Sequence, residues 1–164
     1  IPRKNLEILL DFIKVYSDRK YVLNIVGENI TSTNFHVLNS ELRNGNKINY
    51  LGKVSSKETL REIYSENDIF VLLSRAETFG VVYVEAISQG LPIIYTKNQG
   101  IDGFYKEGEV GYSCADNSLV DLKSKIDLVI ENSINIYNSQ KNAVDKFSWG
   151  LIIENYLADL DRVF

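Results

Sequence analysis

Asp68-Ile69-Phe70-Val71-Leu72-Leu73 is nearly continuous in apolar residues, the composition of a parallel strand covered on both faces. A polar loop follows from Ser74, Gly80 opens a helix, and a second apolar run starts at Leu91. Strand, loop, helix and strand in that order make a βαβ unit, whose ligand edge is the loop before the helix. This loop and helix carry two glutamates, Glu77 and Glu85, on either side of Phe79-Gly80-Val81.

The flanking sequence repeats the alternation. Leu6, Leu9, Leu10 and Ile13 follow the spacing of one buried helix face. Tyr21 to Val26 reads as a short strand ending at Gly27, and Thr31 to Arg43 as a helix that contains His36. Lys47 to Leu51 is the next strand, with Gly52-Lys53-Val54 as its loop. Ser55-Ser56-Lys57-Glu58 reads as a capping box, Glu58 reaching back to the helix start, with Leu60, Ile63 and Tyr64 as the buried stripe. After the central unit, Thr96 to Gly100 is a loop at the end of a strand. Asp102 to Gly108 reads as a helical turn and Val110 to Cys114 as a terminal strand. Helices are expected with Leu119, Leu122, Ile126, Val129 and Ile130 inward, over Ile134 to Lys146, and from Trp149 to Val163. An α/β fold follows, with an open parallel sheet and helices on both faces. The first helix has no strand before it, so the chain is expected to be a fragment cut just after its first strand.

Composition removes several classes. With 164 residues, 45% of them apolar, the chain has the size and core of one domain. Net charge is −4, from 18 basic and 22 acidic residues with no long basic run, so nucleic acid is not an expected partner. Cys114 is the only cysteine and His36 the only histidine, which leaves no zinc-ligand set and suits a reducing, cytoplasmic home. His36 reads as a packed or surface histidine. Asp159 and Asp161 would project about 200° apart on a helix, a poor metal pair. No metal site is expected.

The glutamates carry the chemistry. With the helix starting near Gly80, Glu85 lies about 7–8 Å along its axis while Glu77 stays in the loop before it. Unpaired amides at Gly80, Val81 and Val82 then lie between two carboxylates. A helix N-terminus attracts an anion and carboxylates repel one. Both are satisfied if a diphosphate meets the amides while each carboxylate accepts hydroxyl protons from a sugar on its own side. A nucleotide sugar has that layout. Structural roles for the pair, Glu77 as a cap and Glu85 as an exposed helical charge, remain the competing reading of the spacing by itself.

From Ser74 to Pro92 the pattern S-x-x-E-x-F-G-x-x-x-x-E-A-x-x-x-G-x-P resembles the donor-site signature of the retaining, group 1 glycosyltransferases of GT-B fold. The likeness extends to Lys4-Asn5, Ile25-Val26-Gly27, Leu51-Gly52 and Phe147-Ser148-Trp149, and so spans essentially the whole chain. It implies a Rossmann-like sheet forming the C-terminal half of a GT-B architecture, with residues 1–164 as the nucleotide-sugar (donor) domain and the N-terminal acceptor domain absent. Glu77 would contact hydroxyls of the transferred sugar and is the catalytic candidate. Glu85 would contact the ribose, the amides of Gly80 and Val81 the diphosphate, and Lys4 its charge. Phe79, together with Gly27, Lys53 and Gly100 in neighbouring loops of the same sheet edge, completes the candidate donor site.

The resemblance further implies a metal-independent enzyme without a cofactor, acting on a UDP-, GDP- or ADP-linked hexose and a glycan or lipid-linked acceptor. Its own N-terminal domain is the expected protein partner, and peripheral membrane association is expected of the full-length enzyme only. The family's arginine partner of Lys4 would lie upstream of Ile1. Leu73 stands where a proline is usual and Thr78 where a glycine is usual, changes that leave the charges intact and bear on the choice of sugar. Two alternatives share the architecture: a GT-B sugar-nucleotide epimerase, and a non-catalytic α/β nucleotide-binding or interaction module.

Overall fold

The computed structural model describes residues 4–28, 39–40, 42–43, 45–115 and 118–147. The helix expected to contain His36 falls largely outside this set, and the one from Trp149 onward, with Asp159 and Asp161, falls wholly outside it.

Helices and parallel strands alternate. The order is α1 (Leu6–Val15), β1 (Val22–Val26), β2 (Lys47–Gly52), α2 (Lys57–Ser65), β3 (Phe70–Leu72), α3 (Val81–Ser88), β4 (Ile93–Thr96), β5 (Gly111–Cys114), α4 (Leu119–Glu131) and α5 (Ser133–Gln140). A 3₁₀ turn, Val144–Phe147, closes the described chain. The expected helical spacing of α1 buries Ile8, Phe12 and Ile13. In α4 it buries Leu122, Ile126 and Val129, while Ile130 stays exposed.

Every recorded strand pair is parallel. β1 pairs with β2, Val22 opposite Lys47. β4 lies between β3 and β5, with Leu72 opposite Tyr95 and Thr96 opposite Cys114. β4 is buried throughout, as a strand covered on both faces must be. Tyr83, Ile87, Tyr95 and Ile101 form the core on one side of it. Ile8, Phe12, Leu73, Ile94, Leu122 and Ile136 form the core on the other.

Four local expectations change. Within the open parallel sheet, which is built of two ladders, β3 spans three residues rather than the whole apolar run from Asp68. Side chains tie β1 to β2 and to the turn after α2: the Asn49 amide donates to Asn24 and the Asn24 amide to Asn67, both at 2.8 Å. A cavity of about 1170 Å³ lies between the ladders, with Leu23, Ile25, Ile69 and Val71 in its walls.

The cap of α2 is Ser56, whose hydroxyl accepts from the Thr59 amide at 3.2 Å. Glu58 therefore sits one position too early for a capping box, and accepts from the Ser56 hydroxyl at 2.9 Å instead. The segment 102–108 is a series of turns with an isolated bridge between Asp102 and Tyr105. The helix expected to reach Lys146 stops at Gln140, whose buried amide donates to the Leu91 carbonyl at 2.7 Å. Beyond it the chain turns, and the Tyr105 hydroxyl donates to the Ala143 carbonyl at 2.7 Å.

Candidate active site

The loops after β1, β2, β3 and β4 open toward one edge, the carboxyl ends of parallel strands, where ligands of such sheets bind. The loop after β3 is anchored at its root by Leu73 and Ser74, both fully buried. Its middle is fixed by the loop after β4. The Glu77 amide donates to the Gln99 side chain at 3.2 Å, and the Gly100 amide donates to the Glu77 carbonyl at 3.0 Å. Gln99 and Gly100 are held in turn: the Gln99 amide donates to the Thr96 carbonyl, and Asn98, at φ 62°, donates its amide to Asp102 at 2.6 Å.

Two glycines make a slot for the Glu77 stem. A Cβ on Gly100 would lie 3.0 Å from Glu77 Cγ and from the Phe79 carbonyl oxygen, and the residue has φ +56°. A Cβ on Gly80 would lie 2.5 Å from the Tyr83 ring and 3.2 Å from Glu77 Cγ, at φ +78°. Both positions therefore require glycine by conformation and by space. Tyr83 fills the floor beneath Gly80 and is locked by its hydroxyl, which donates to the Leu72 carbonyl at 2.7 Å. Burial, and then the negative charge of Glu77, push its phenol pKa up.

From this slot Glu77 meets Lys4, whose ammonium stands 2.5 Å from its carboxylate. The Glu77 side chain is only 12% exposed, whereas Lys4 remains 44% exposed. Gly80 is the N-cap of α3, and the exposed Val81 begins that helix. Its first-turn amides thus open beside the Lys4–Glu77 pair, an N-terminus that favours negative charge.

Glu85 projects from the exposed face of α3, with the Tyr64 hydroxyl 3.5 Å away. Burial is the main cause, and Glu85 a lesser one, of a Tyr64 pKa pushed up to about 12. Phe79 turns its ring away from the loop into an aromatic cluster, edge-on to Phe104 at 5.4 Å and to Phe147 at 5.2 Å. On the far side, the Gly27 amide donates to the Gly52 carbonyl at 2.8 Å, and the space a Cβ would take on Gly27 is open. Lys53 reaches Glu28 at 3.3 Å across exposed surface.

The structure thus brings Lys4, Glu77, Gly80, Val81 and Gly100 together. Gly27, Lys53 and Glu85 lie along the same edge toward β1 and β2, and Lys4, Gly27 and Glu85 all border the cavity between the ladders. Sequence reasoning did not find Gln99 as the anchor of Glu77, nor the burial of the hydroxyls of Ser74 and Thr96. The last two place buried hydroxyls, without a hydrogen-bond partner among the described residues, at the ends of β3 and β4. Nothing in local periodicity distinguishes these side chains from ordinary loop residues.

Parallel βαβ topology with carboxylates and a cation at the carboxyl edge is the setting of nucleotide-dependent α/β enzymes. Residues 1–147 match the sequence profile of the group 1 glycosyl transferases, and the chain belongs to that family. An uncharacterised 41.2 kDa protein in the cps region of Klebsiella pneumoniae is 29% identical over 146 residues, which cover 89% of this chain and 38% of that protein. The N-acetyl-alpha-D-glucosaminyl L-malate synthase of Bacillus anthracis is 29% identical over 108 residues, covering 66% of this chain and 28% of the enzyme. Among solved structures, Anabaena HepE in complex with UDP and glucose superposes with a TM-score of 0.76 at 22% identity, over 99% of this chain and 46% of that one. The chain spans less than half the length of these relatives. Its fold is that of the GT-B glycosyltransferases, with mixed α/β structure and parallel strands in open sheets. Among the described residues no helix is long and apolar enough to cross a membrane.

Proposed function

We propose that this chain is the donor-binding, C-terminal half of a retaining glycosyltransferase. The full-length enzyme transfers a hexose from a nucleotide-diphosphate sugar to a glycan or lipid-linked acceptor in the cytoplasm, and an N-terminal domain supplies the acceptor site. One observation carries the reading: a half-exposed ammonium, a largely buried carboxylate and a helix N-terminus converge at the carboxyl edge of the sheet, with a second carboxylate a little over one turn further along the helix.

In that site the diphosphate lies against the first amides of α3 and the Lys4 ammonium, which offset the charge that develops on the leaving group. Neither a metal nor a cofactor has a part in this scheme. Glu77 accepts hydrogen bonds from hydroxyls of the transferred sugar. Glu85 does the same for the ribose, and Gly27 and Lys53 border the nucleoside. The HepE complex makes UDP the first nucleotide to test.

Titration calorimetry with UDP, GDP and ADP tests the reading directly. Binding of one of them by the folded chain is expected, without glycosyl transfer by this half alone. No heat with any of the three would remove the donor site. Glu85→Ala is expected to weaken nucleotide binding about tenfold, the value of one charge-assisted hydrogen bond at its lower end. Its effect on stability should stay within about 0.5 kcal/mol, as for an exposed side chain. A loss of stability without a loss of affinity would return Glu85 to a structural role.

A further inference from the structure

The cavity between the ladders is walled in a way that fixes its orientation. A pocket on one face of a sheet meets every second residue of a strand, because successive side chains alternate between faces. Here all five residues of Val22–Val26 line it on one side and residues 68–72 line it on the other. It therefore runs along strand edges, in the plane of the sheet. Among the described residues β1 pairs only with β2 and β3 only with β4, so the edges that flank the cavity carry backbone groups with no ladder partner. Helices roof it on both faces: Phe12 of α1 and Val129 of α4 belong to the core that takes in Val71, and Leu60 and Tyr64 of α2 to the core that takes in Phe70.

Two parallel strand edges under two apolar roofs fit an extended backbone. We propose that this slot receives a further β-strand, about as long as the five-residue β1, apolar on both faces and supplied by the same polypeptide ahead of Lys4. The inference is independent of the donor-site reading. The sheet would then run β2, β1, the added strand, β3, β4, β5. Lys4 borders the slot and meets Glu77 at the carboxyl edge, where a strand parallel to β1 and β3 must also end. Such a strand followed by α1 and then by β1 beside it repeats the βαβ unit of the centre. Cover on both faces calls for the composition of β4, whose four residues are all buried. A second copy is a poor donor, since each of its described strands is already committed to a ladder. Relatives more than twice as long as the segment they share with this chain have polypeptide to spare for it.

Two N-terminal extensions of the chain test the proposal. One places Lys-Val-Ile-Ile-Val-Gly ahead of Ile1. The other, Lys-Val-Pro-Ile-Pro-Gly, stays apolar but loses N–H donors and cannot pair as a central strand. Urea unfolding is followed by circular dichroism, and access to the slot by fluorescence of the apolar dye ANS. The first extension is expected to raise the urea midpoint by about 1 M and to abolish dye binding, while the second stays close to the unextended chain. Should the first extended chain precipitate, the two peptides are titrated into the unextended chain with the same readouts. Equal effects of both sequences would show a general apolar cover in place of a paired strand, and no effect of either would show that the slot takes no strand. A concentration-dependent dimer of the unextended chain that excludes the dye would make a second copy the occupant. Each of these three results overturns the proposal.

Discussion

The two ladders of the sheet are built to different standards. In β3–β4–β5, β4 is buried throughout, Leu73 and Ser74 are fully buried, and the loops at the carboxyl edge hold each other through Gln99 and Gly100. In β1–β2, Val22, Val26, Tyr50 and Leu51 are exposed, and Lys53 and Glu28 meet in open solvent. The tight ladder carries Glu77 and the start of α3, which face the reacting end of the proposed donor, while the looser one borders its nucleoside. Groups near a breaking bond must be held to about half an ångström. Groups that only grip a distant part of the ligand need no such precision.

Substitutions can break this contrast. The largest effect is expected at Gly111, where a Cβ would lie 1.8 Å from the Ile93 carbonyl oxygen. Gly111→Ala should destabilise by about 4 kcal/mol or more, read as a lower urea midpoint; a near-wild-type midpoint would mean that β4 and β5 are not tightly joined. A matched pair comes next. Gly100→Ala, at φ +56° and against Glu77, should cost about 2 kcal/mol and lower nucleotide affinity with it. Gly27→Ala, at φ +149° in open space, should cost about 1 kcal/mol from backbone strain alone. Equal costs would erase the distinction between the ladders.

The smallest effect is on alkaline stability. Tyr64 and Tyr105 belong to the core of the tight ladder, and burial pushes each pKa up to about 12 from the ordinary 10.0. The unfolded chain therefore gives up these protons first. Their contribution is fully present below pH 10 and is lost as pH rises toward 12. Urea unfolding at several pH values should show that decline, and tyrosinate absorbance should lag in the folded protein. Tyr64→Phe should flatten the slope; an unchanged slope would assign it to other tyrosines, such as Tyr21, also raised to about 12.

What could be read in advance was local. Apolar spacing placed α1 and α4, and the run around Phe70 together with Gly80 placed the central βαβ unit, because helix and strand periodicities are written along the chain. Ser56 against Ser55 could not be separated, since both satisfy a cap and only the entry direction of the chain decides. The end of α5 at Gln140 depends on carbonyls of Leu91 and Val110, far away in sequence. Lys4 and Glu77 were each singled out, but their contact spans 73 residues and follows from the fold alone. Likewise Gly80 and Gly100 read as backbone that approaches the donor, whereas in the structure their lack of side chains also admits the Glu77 stem.

The sheet's two outer margins have a consequence for how copies of the chain behave together. Along β2, the Asn39 side chain imitates a peptide group: its amide donates to the Ile48 carbonyl and its oxygen accepts from the Ile48 N–H, both at 2.8 Å. Along β5, Glu107 accepts from the Ser113 N–H at 3.1 and 3.2 Å, and the Gly108 N–H donates to the Gly111 carbonyl at 2.8 Å. At Ile48, Gly111 and Ser113, backbone groups that could recruit a foreign strand are thus already occupied, which blunts both margins as templates for fibrous growth. A domain proposed to stay open along one edge for its donor is thus guarded on its flanks against its own kind.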